Sequence, residues 1–275
     1  MDVCILAPAY APLLAAFPDA RQVAEFAHPG GSLLSARLLE AKADNGVRLL
    51  LIDCPGYYVR AGSAYLDGAG NDFSDNHLRF GLLSRIAALL AGSASPLRWH
   101  PDVLHCNDWP CGLAPAYLHF MGGAAAPTVM SIHNLAFQGI FQADTLEALG
   151  LPPAAFAIDG VEFWDKLSFM KAGLHYAQRI ITVSPRYAEE IQTEEFGYGF
   201  AGLLRWRRED LTGILNGIDM RAWDPATDLY LPRHYEFAHL KGKDANKTAL
   251  RQRLGLEPAT SCPLLGVVSR ITHQK

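Results

Sequence analysis

The chain has 275 residues, of which 50% are hydrophobic and 19% are charged, and its formal net charge at pH 7 is −4. That length and apolar content allow one large domain, or one domain and part of another, and argue against a largely disordered chain. The charge is small and dispersed, so the sequence contains no basic block suited to nucleic acid or to an anionic membrane surface.

The spacing of the cysteines and the lengths of the apolar runs bear on where in the cell the protein is found. Five cysteines are scattered along the chain, and an odd, dispersed set does not form a disulfide framework. No apolar run reaches the roughly 18–20 residues that cross a bilayer. We therefore expect a cytoplasmic protein without a membrane or nucleic-acid partner. The sequence leaves the oligomeric state open.

Short apolar segments rich in β-branched residues recur along the chain and predict strands. They are residues 3–8, 47–54, 102–106, 127–133, 179–184, 211–215 and 264–269. Several are apolar throughout, as expected for strands covered on both faces. Between them, segments 76–91, 161–178 and 244–256 carry apolar residues three and four positions apart, which predicts helices. This alternation predicts an α/β fold with a parallel sheet and right-handed crossovers.

One segment interrupts the alternation. Residues 216–243 are rich in proline, charge and aromatic side chains and have little periodicity. The segment is too long for an ordinary loop within a compact domain. We therefore predict a first domain over residues 1–222, an interdomain linker over 223–243, and the start of a second domain over 244–275.

Four strand ends are unusually polar, and ligands of parallel sheets collect at the carboxyl ends of strands. These ends are "HCNDWP" (105–110), "IHNLAFQG" (132–139), "NGID" (216–219) and "SRITHQK" (269–275). Each also has a purely structural interpretation. Asp108 could cap a helix that begins near Pro110, and His133 could be a hydrogen-bonded structural histidine. "NGID" could be a turn, and the two cations of the last motif could be solvated.

Several common site types are excluded by their missing motifs. The chain lacks the phosphate-binding G-x-x-x-x-G-K-[ST] loop, a G-x-G-x-x-G fingerprint after the first strand, and the G-x-S-x-G hydrolase elbow. It also lacks Asp-x-Asp, which often holds a metal against a sugar nucleotide. His105, Cys106, Cys111 and His119 do not have the spacing of a zinc site.

Five segments together resemble one family. They are "DVLHCNDWPCGLAPAYL", "SIHNLAFQGIF", "FMKAGLHYAQRIITVSPRYAEEIQTEEFGYGFAGLL", "LTGILNGIDMRAWDPATD" and "GVVSRITHQK". In this order they are similar to bacterial glycogen synthases and plant starch synthases. Those enzymes are ADP-glucose-type retaining glycosyltransferases of the GT-B fold, with two Rossmann-like domains facing a cleft. The resemblance implies a Rossmann-like sheet here, followed by the first helix and strand of a second such domain.

The resemblance also implies an activity, the transfer of glucose from ADP-glucose to the non-reducing end of an α-1,4-glucan such as glycogen, with retention. Breaking the donor bond makes the sugar oxocarbenium-like, and preorganised cations stabilise the charge that grows on the diphosphate. By resemblance, Arg270 and Lys275 are the diphosphate-binding pair. They act without a metal, so we expect no metal or other cofactor.

The resemblance gives roles to further residues. His133 matches a histidine of the donor-sugar pocket near the glucose 6-hydroxyl, and Asp108 matches an acid near the reacting centre. Asn216 matches an asparagine beside the sugar, and Tyr65 matches a tyrosine near the cleft. At Tyr65 the family motif is altered, because Ala64 replaces its proline. We also predict that Asn134 and His105, next to these motifs, bind substrate.

The sequence departs from the family pattern at both ends. The family's K-x-G-G-L loop is missing from it, and its last residues coincide with the family's "SRxTxQK" motif. We therefore expect a chain shortened at both ends, and we predict that it transfers no glucose by itself. Two alternatives remain: an inactive fragment that at most binds α-glucan, and a related GT-B glycosyltransferase that uses UDP-sugars.

Overall fold

The computed structural model describes residues 2–257 and 262–269. The chain divides into two compact units, residues 1–215 and residues 216–275. The predicted domain limits at residues 222 and 243 stay predictions.

The first unit contains strands and helices in alternation. Its described strands are β1 (Cys4–Pro8), β2 (Arg21–Phe26), β3 (Ala36–Lys42), β4 (Arg48–Asp53), β5 (Leu104–Asn107), β6 (Thr128–Ile132), β7 (Ile140–Gln142), β8 (Glu162–Phe163), β9 (Lys166–Ser168), β10 (Arg179–Thr182) and β11 (Leu211–Gly213). Its described helices are α1 (Ala11–Ala16), α2 (Pro55–Tyr58), α3 (Asn76–Ala91), α4 (Leu113–Met121), α5 (Thr145–Ala148), α6 (Phe169–Tyr176), α7 (Pro185–Glu190) and α8 (Ala201–Trp206). Short 3-10 turns form at Trp109–Cys111, Pro153–Ala155 and Arg208–Asp210.

These strands form three sheets. One has the order β11-β10-β6-β5 and is parallel throughout. A second has the order β1-β4-β3-β2, in which β1 and β4 are parallel and β3 is antiparallel to both of its neighbours. The third is a small antiparallel sheet of order β7-β9-β8. The α/β class with a parallel sheet is thus confirmed, and the antiparallel strands are an addition that the sequence did not reveal.

One face of the parallel sheet is buried and apolar, because alternate residues of a strand point to the same side. On β6, Met130 and Ile132 are fully buried, and so is Ile180 on the adjacent β10. Helix α3 is buried around most of its surface, including Leu82 and Ile86. The core therefore holds the carboxyl ends of β5 and β6 in fixed register, and the candidate site lies there.

Most predicted strands are observed, and one is wrong. The segments at 3–8, 47–54, 102–106, 127–133, 179–184 and 211–215 each overlap a strand. Residues 264–269 do not form one, and Leu265 and Val268 in this segment are exposed. Among the described residues of the second unit no strand is available to pair with this segment. An apolar run without a ladder partner does not form a strand.

Two of the three predicted helices are observed, and the third is correct only in its second half. The prediction for 76–91 matches α3, and 244–256 overlaps α9 (Gly242–Arg253), the described helix of the second unit. The prediction for 161–178 is wrong in its first half, which forms the β8–β9 hairpin. The helix there begins only after Ser168, whose side chain accepts a hydrogen bond from the Lys171 N–H at 3.1 Å. This serine cap explains the late start of α6.

Candidate active site

The candidate site lies at the carboxyl ends of β5 and β6. Asn107, the last residue of β5, pairs in register with Ser131 near the end of β6. Asp108 follows β5 directly, and His133 follows β6. Two distant motifs, "HCNDWP" and "IHNLAFQG", are therefore brought together by parallel pairing, as the rule for parallel sheets predicts.

Asp108 links the two strand ends. Its N–H donates to the carbonyl of Ser131 at 2.9 Å, and its Oδ1 accepts a hydrogen bond from the His133 N–H at 2.8 Å. Its φ of 53° is in the left-handed region, which a non-glycine residue adopts at a cost. Its side chain does not cap the turn at Trp109–Cys111. The capping interpretation of Asp108 is therefore wrong, and its carboxylate instead fixes the His133 backbone.

His133 is exposed at this edge and has a defined ring contact. Its Nε2 lies 3.1 Å from Oδ1 of Asn107. An amide oxygen only accepts hydrogen bonds, so Nε2 donates and carries the proton. Asn107 on β5 thus orients the exposed ring, and Asp108 holds the His133 backbone.

His105 lies on β5 next to this pair. Its Nε2 forms a hydrogen bond with the hydroxyl of Ser131 on β6. Burial lowers the pKa of His105 below the ordinary histidine value, and a positive charge on nearby His133 lowers it further. A neutral imidazole is favoured here, so His105 acts as a hydrogen-bonding group.

Tyr65 reaches the same edge from the loop before α3. Its ring packs against Phe80 and Trp109, with centroid distances of 5.4 and 5.9 Å. Its carbonyl accepts a hydrogen bond from Nδ2 of Asn76 at 3.0 Å. Burial raises the pKa of the Tyr65 hydroxyl, and the negative charge of Asp108 raises it further. The Tyr65 hydroxyl is therefore neutral at pH 7, and it lies close enough to Asp108 for the two groups to interact electrostatically.

The loop after His133 is tied down by hydrogen bonds. Oδ1 of Asn134 accepts from the Ala136 N–H at 3.1 Å, which forms an Asx turn. The Leu135 N–H donates to the hydroxyl of Tyr187 at 3.2 Å. Nε2 of Gln138 donates to the carbonyl of Tyr198 at 2.7 Å. Asn134 thus shapes the loop, and the loop is connected to the region before α8.

The other predicted site residues lie elsewhere. Asn216 is the first residue of the second unit and is exposed. Arg270 and Lys275 lie outside the described residues. Sequence analysis overlooked Asn107 as the partner of the His133 ring, although it stands inside a quoted motif, and Tyr187 as a loop anchor. No sequence pattern signals Tyr187, because its hydroxyl contacts a residue 52 positions away.

Residues 2–257 and 262–269 contain no group of three or more His, Cys, Asp or Glu side chains placed to hold a metal ion. Within the same ranges, no helix has the length and apolarity needed to cross a membrane.

Residues 1–206 match the family model described as the starch synthase catalytic domain. The chain belongs to this family. Over its full length it is 54% identical to a glycogen synthase of Aromatoleum aromaticum and 51% identical to one of Nitrosomonas eutropha, covering 56% and 55% of those proteins. The chain therefore spans about half the length of the relatives it matches.

A solved structure of the starch synthase family supports the fold. It is the catalytic domain of starch synthase IV from Arabidopsis thaliana, bound to ADP and acarbose. The match has a TM-score of 0.67 and 29% identity, and covers 94% of this chain and 53% of the other. The predicted resemblance and the GT-B fold class are confirmed. The individual site roles that the resemblance implies stay predictions.

Proposed function

We propose that the protein carrying this sequence transfers glucose from ADP-glucose to the non-reducing end of an α-1,4-glucan, with retention of configuration. The observation that carries the proposal is the joined pair Asp108 and His133, held at one sheet edge by a 2.8 Å hydrogen bond. Both belong to motifs that a glycogen synthase resemblance assigns to the sugar site. Relatives at 54% and 51% identity are named glycogen synthases, and the starch synthase IV structure holds ADP and acarbose.

Each proposed role follows from the chemistry of glucosyl transfer. His133 forms a hydrogen bond with a hydroxyl group of the donor sugar. The resemblance assigns Asn216 to the same sugar. Asp108 orients His133, and its negative charge favours an oxocarbenium-like centre nearby. Tyr65 and His105 line the site with neutral polar groups. Arg270 and Lys275 stabilise the charge that develops on the departing diphosphate.

We place this reaction in the cytoplasm and without a metal or other cofactor. The five cysteines are free thiols, which suits a reducing compartment. A pair of cations neutralises a diphosphate in the way that a divalent metal would.

The test is a transfer assay on the natural-length protein. Purified protein is incubated with glycogen and either ADP-[14C]glucose or UDP-[14C]glucose, and label in precipitated glycogen is counted. We expect incorporation from ADP-glucose to exceed incorporation from UDP-glucose by a wide margin. Preference for the uridine donor would support the alternative GT-B enzyme. Glycogen binding without transfer from either donor would support a non-catalytic glucan-binding protein.

A further inference from the structure

The turn of the β8–β9 hairpin has an unexpected sequence. Phe163 pairs in register with Lys166, so Trp164 and Asp165 form a two-residue turn. Their φ angles are 53° and 59°, and positive φ at both positions defines a type I′ turn, for which Asn-Gly is preferred. A tryptophan at positive φ costs free energy. Burial does not repay that cost, because Trp164 is 76% exposed.

A second exposed aromatic residue has the same conformation beside it. Tyr198 has a φ of 47° and is 49% exposed. The next residue, Gly199, packs so closely on the hairpin that an added Cβ would lie 2.8 Å from Cζ of Phe163 and 3.4 Å from Nε1 of Trp164. Phe163 in turn stacks on Phe200, with ring centroids 4.3 Å apart. The backbone next to Tyr198 therefore packs closely on the hairpin that carries Trp164.

This pair is continuous with the candidate active site. The carbonyl of Tyr198 accepts the hydrogen bond from Gln138, which belongs to the same loop as His133. The carbonyl of Gln138 is itself held by the Met170 N–H at 3.1 Å and by the Ser168 hydroxyl at 3.0 Å. Gln138 therefore ties the backbone of Tyr198 to the loop that carries His133.

We propose that Trp164 and Tyr198 form an aromatic platform that binds the α-1,4-glucan chain next to the candidate active site. One face of a glucose ring presents C–H groups with partial positive charge, and these stack on the negative face of an aromatic ring. The ring edges carry hydroxyl groups, which suit the polar neighbours Asp165 and Gln138. The acidic neighbours Asp165 and Glu162 and the net charge of −4 disfavour nucleic acid as the occupant.

The glucan assignment rests on the proposed function, and the experiment separates the two. Dissociation constants for maltoheptaose and for glycogen are measured on the natural-length protein by calorimetry and affinity electrophoresis, without any sugar nucleotide. Trp164→Asn and Tyr198→Asn place a residue that tolerates positive φ in each position. We expect each variant to bind glucan about 2- to 12-fold more weakly, as for the loss of one aromatic stacking contact.

A matched control and a stability measurement make the test decisive. Trp206 is also highly exposed, at 69%, but stacks on His175 at the end of α8. Trp206→Ala should leave glucan affinity unchanged. Trp164→Asn should melt at or above the parent temperature, because asparagine suits the turn. Parental affinity in Trp164→Asn, equal weakening in Trp206→Ala, or a lowered melting temperature in Trp164→Asn would overturn the platform. Absence of ADP-glucose transfer, with binding still dependent on Trp164, would overturn the proposed function and leave the platform standing.

Discussion

The loop that carries His133 ends at Gly139, and replacing this glycine with alanine should destabilise the first unit. Gly139 has a φ of 57°, and a Cβ there would lie 2.4 Å from Cε3 and 2.8 Å from Cδ2 of Trp109. The indole cannot withdraw freely, because it packs against Phe80 and Phe169 at centroid distances of 4.7 and 6.1 Å. An alanine at position 139 is therefore disfavoured by its backbone conformation and also by the close contact of its Cβ with Trp109.

The size of the effect follows from these two penalties. A left-handed conformation costs an ordinary residue about 1–2 kcal/mol, and overpacking a filled site costs about 1–3 kcal/mol. Their sum, about 2–5 kcal/mol, is a large part of the roughly 5–15 kcal/mol that stabilises a folded domain. We expect Gly139→Ala to lower the free energy of unfolding by this amount, measured by urea denaturation followed by circular dichroism.

Gly202 supplies the control for this substitution. It is exposed in α8, and a Cβ there meets nothing within 4 Å. Gly202→Ala should therefore stabilise the helix by about 0.5–1 kcal/mol. A free energy of unfolding for Gly139→Ala within about 0.5 kcal/mol of the parent would refute the close contact with Trp109. A change of the same sign as Gly202→Ala would refute it too.

Three further outcomes concern acid stability, the predicted cations and metal dependence. Burial lowers the pKa of His77, His105 and His175 below 6.5, so just below that pH the unfolded chain binds more protons than the folded one. The melting temperature should therefore fall as the pH drops from about 7 to about 5.5, and a flat profile would contradict these shifts. In the natural-length protein, Arg270→Ala and Lys275→Ala should each slow glucosyl transfer about a hundredfold; near-normal rates would remove them from the mechanism. Chelator should leave the parent rate unchanged, and a chelator-sensitive rate would contradict metal independence.

The sequence predicted the buried elements best, because their signal is local. The β-branched-rich segments around β6 and β10 and the mostly apolar sequence of α3 have few alternative structures. The first half of the helix predicted over 161–178 is wrong because two residues without a turn signature, Trp164 and Asp165, adopt positive φ and form the turn of a hairpin. The strand predicted over 264–269 failed because strand formation depends on a partner that sequence periodicity does not reveal.

The candidate site was predicted as a set of motifs and not as a set of contacts. Strand-end polarity and family resemblance identified Asp108 and His133, and parallel pairing explains why they meet. The choice between a capping Asp108 and one that holds His133 could not be made from the sequence. The hydrogen bond that Asp108 accepts is donated by the N–H of His133, 25 positions further along the chain. Only the register of β5 on β6 brings the two residues together.

The most direct test of the proposed active site is the turnover of a His133 variant. The rate of glucose transfer from ADP-glucose to glycogen is measured for the natural-length parent, His133→Ala, and His119→Ala, an exposed histidine on α4 outside the candidate site. We expect His133→Ala to lose about a hundredfold or more in kcat while keeping the parental melting temperature, and His119→Ala to match the parent. A His133→Ala rate within about twofold of the parent would contradict the assignment of this sheet edge as the active site.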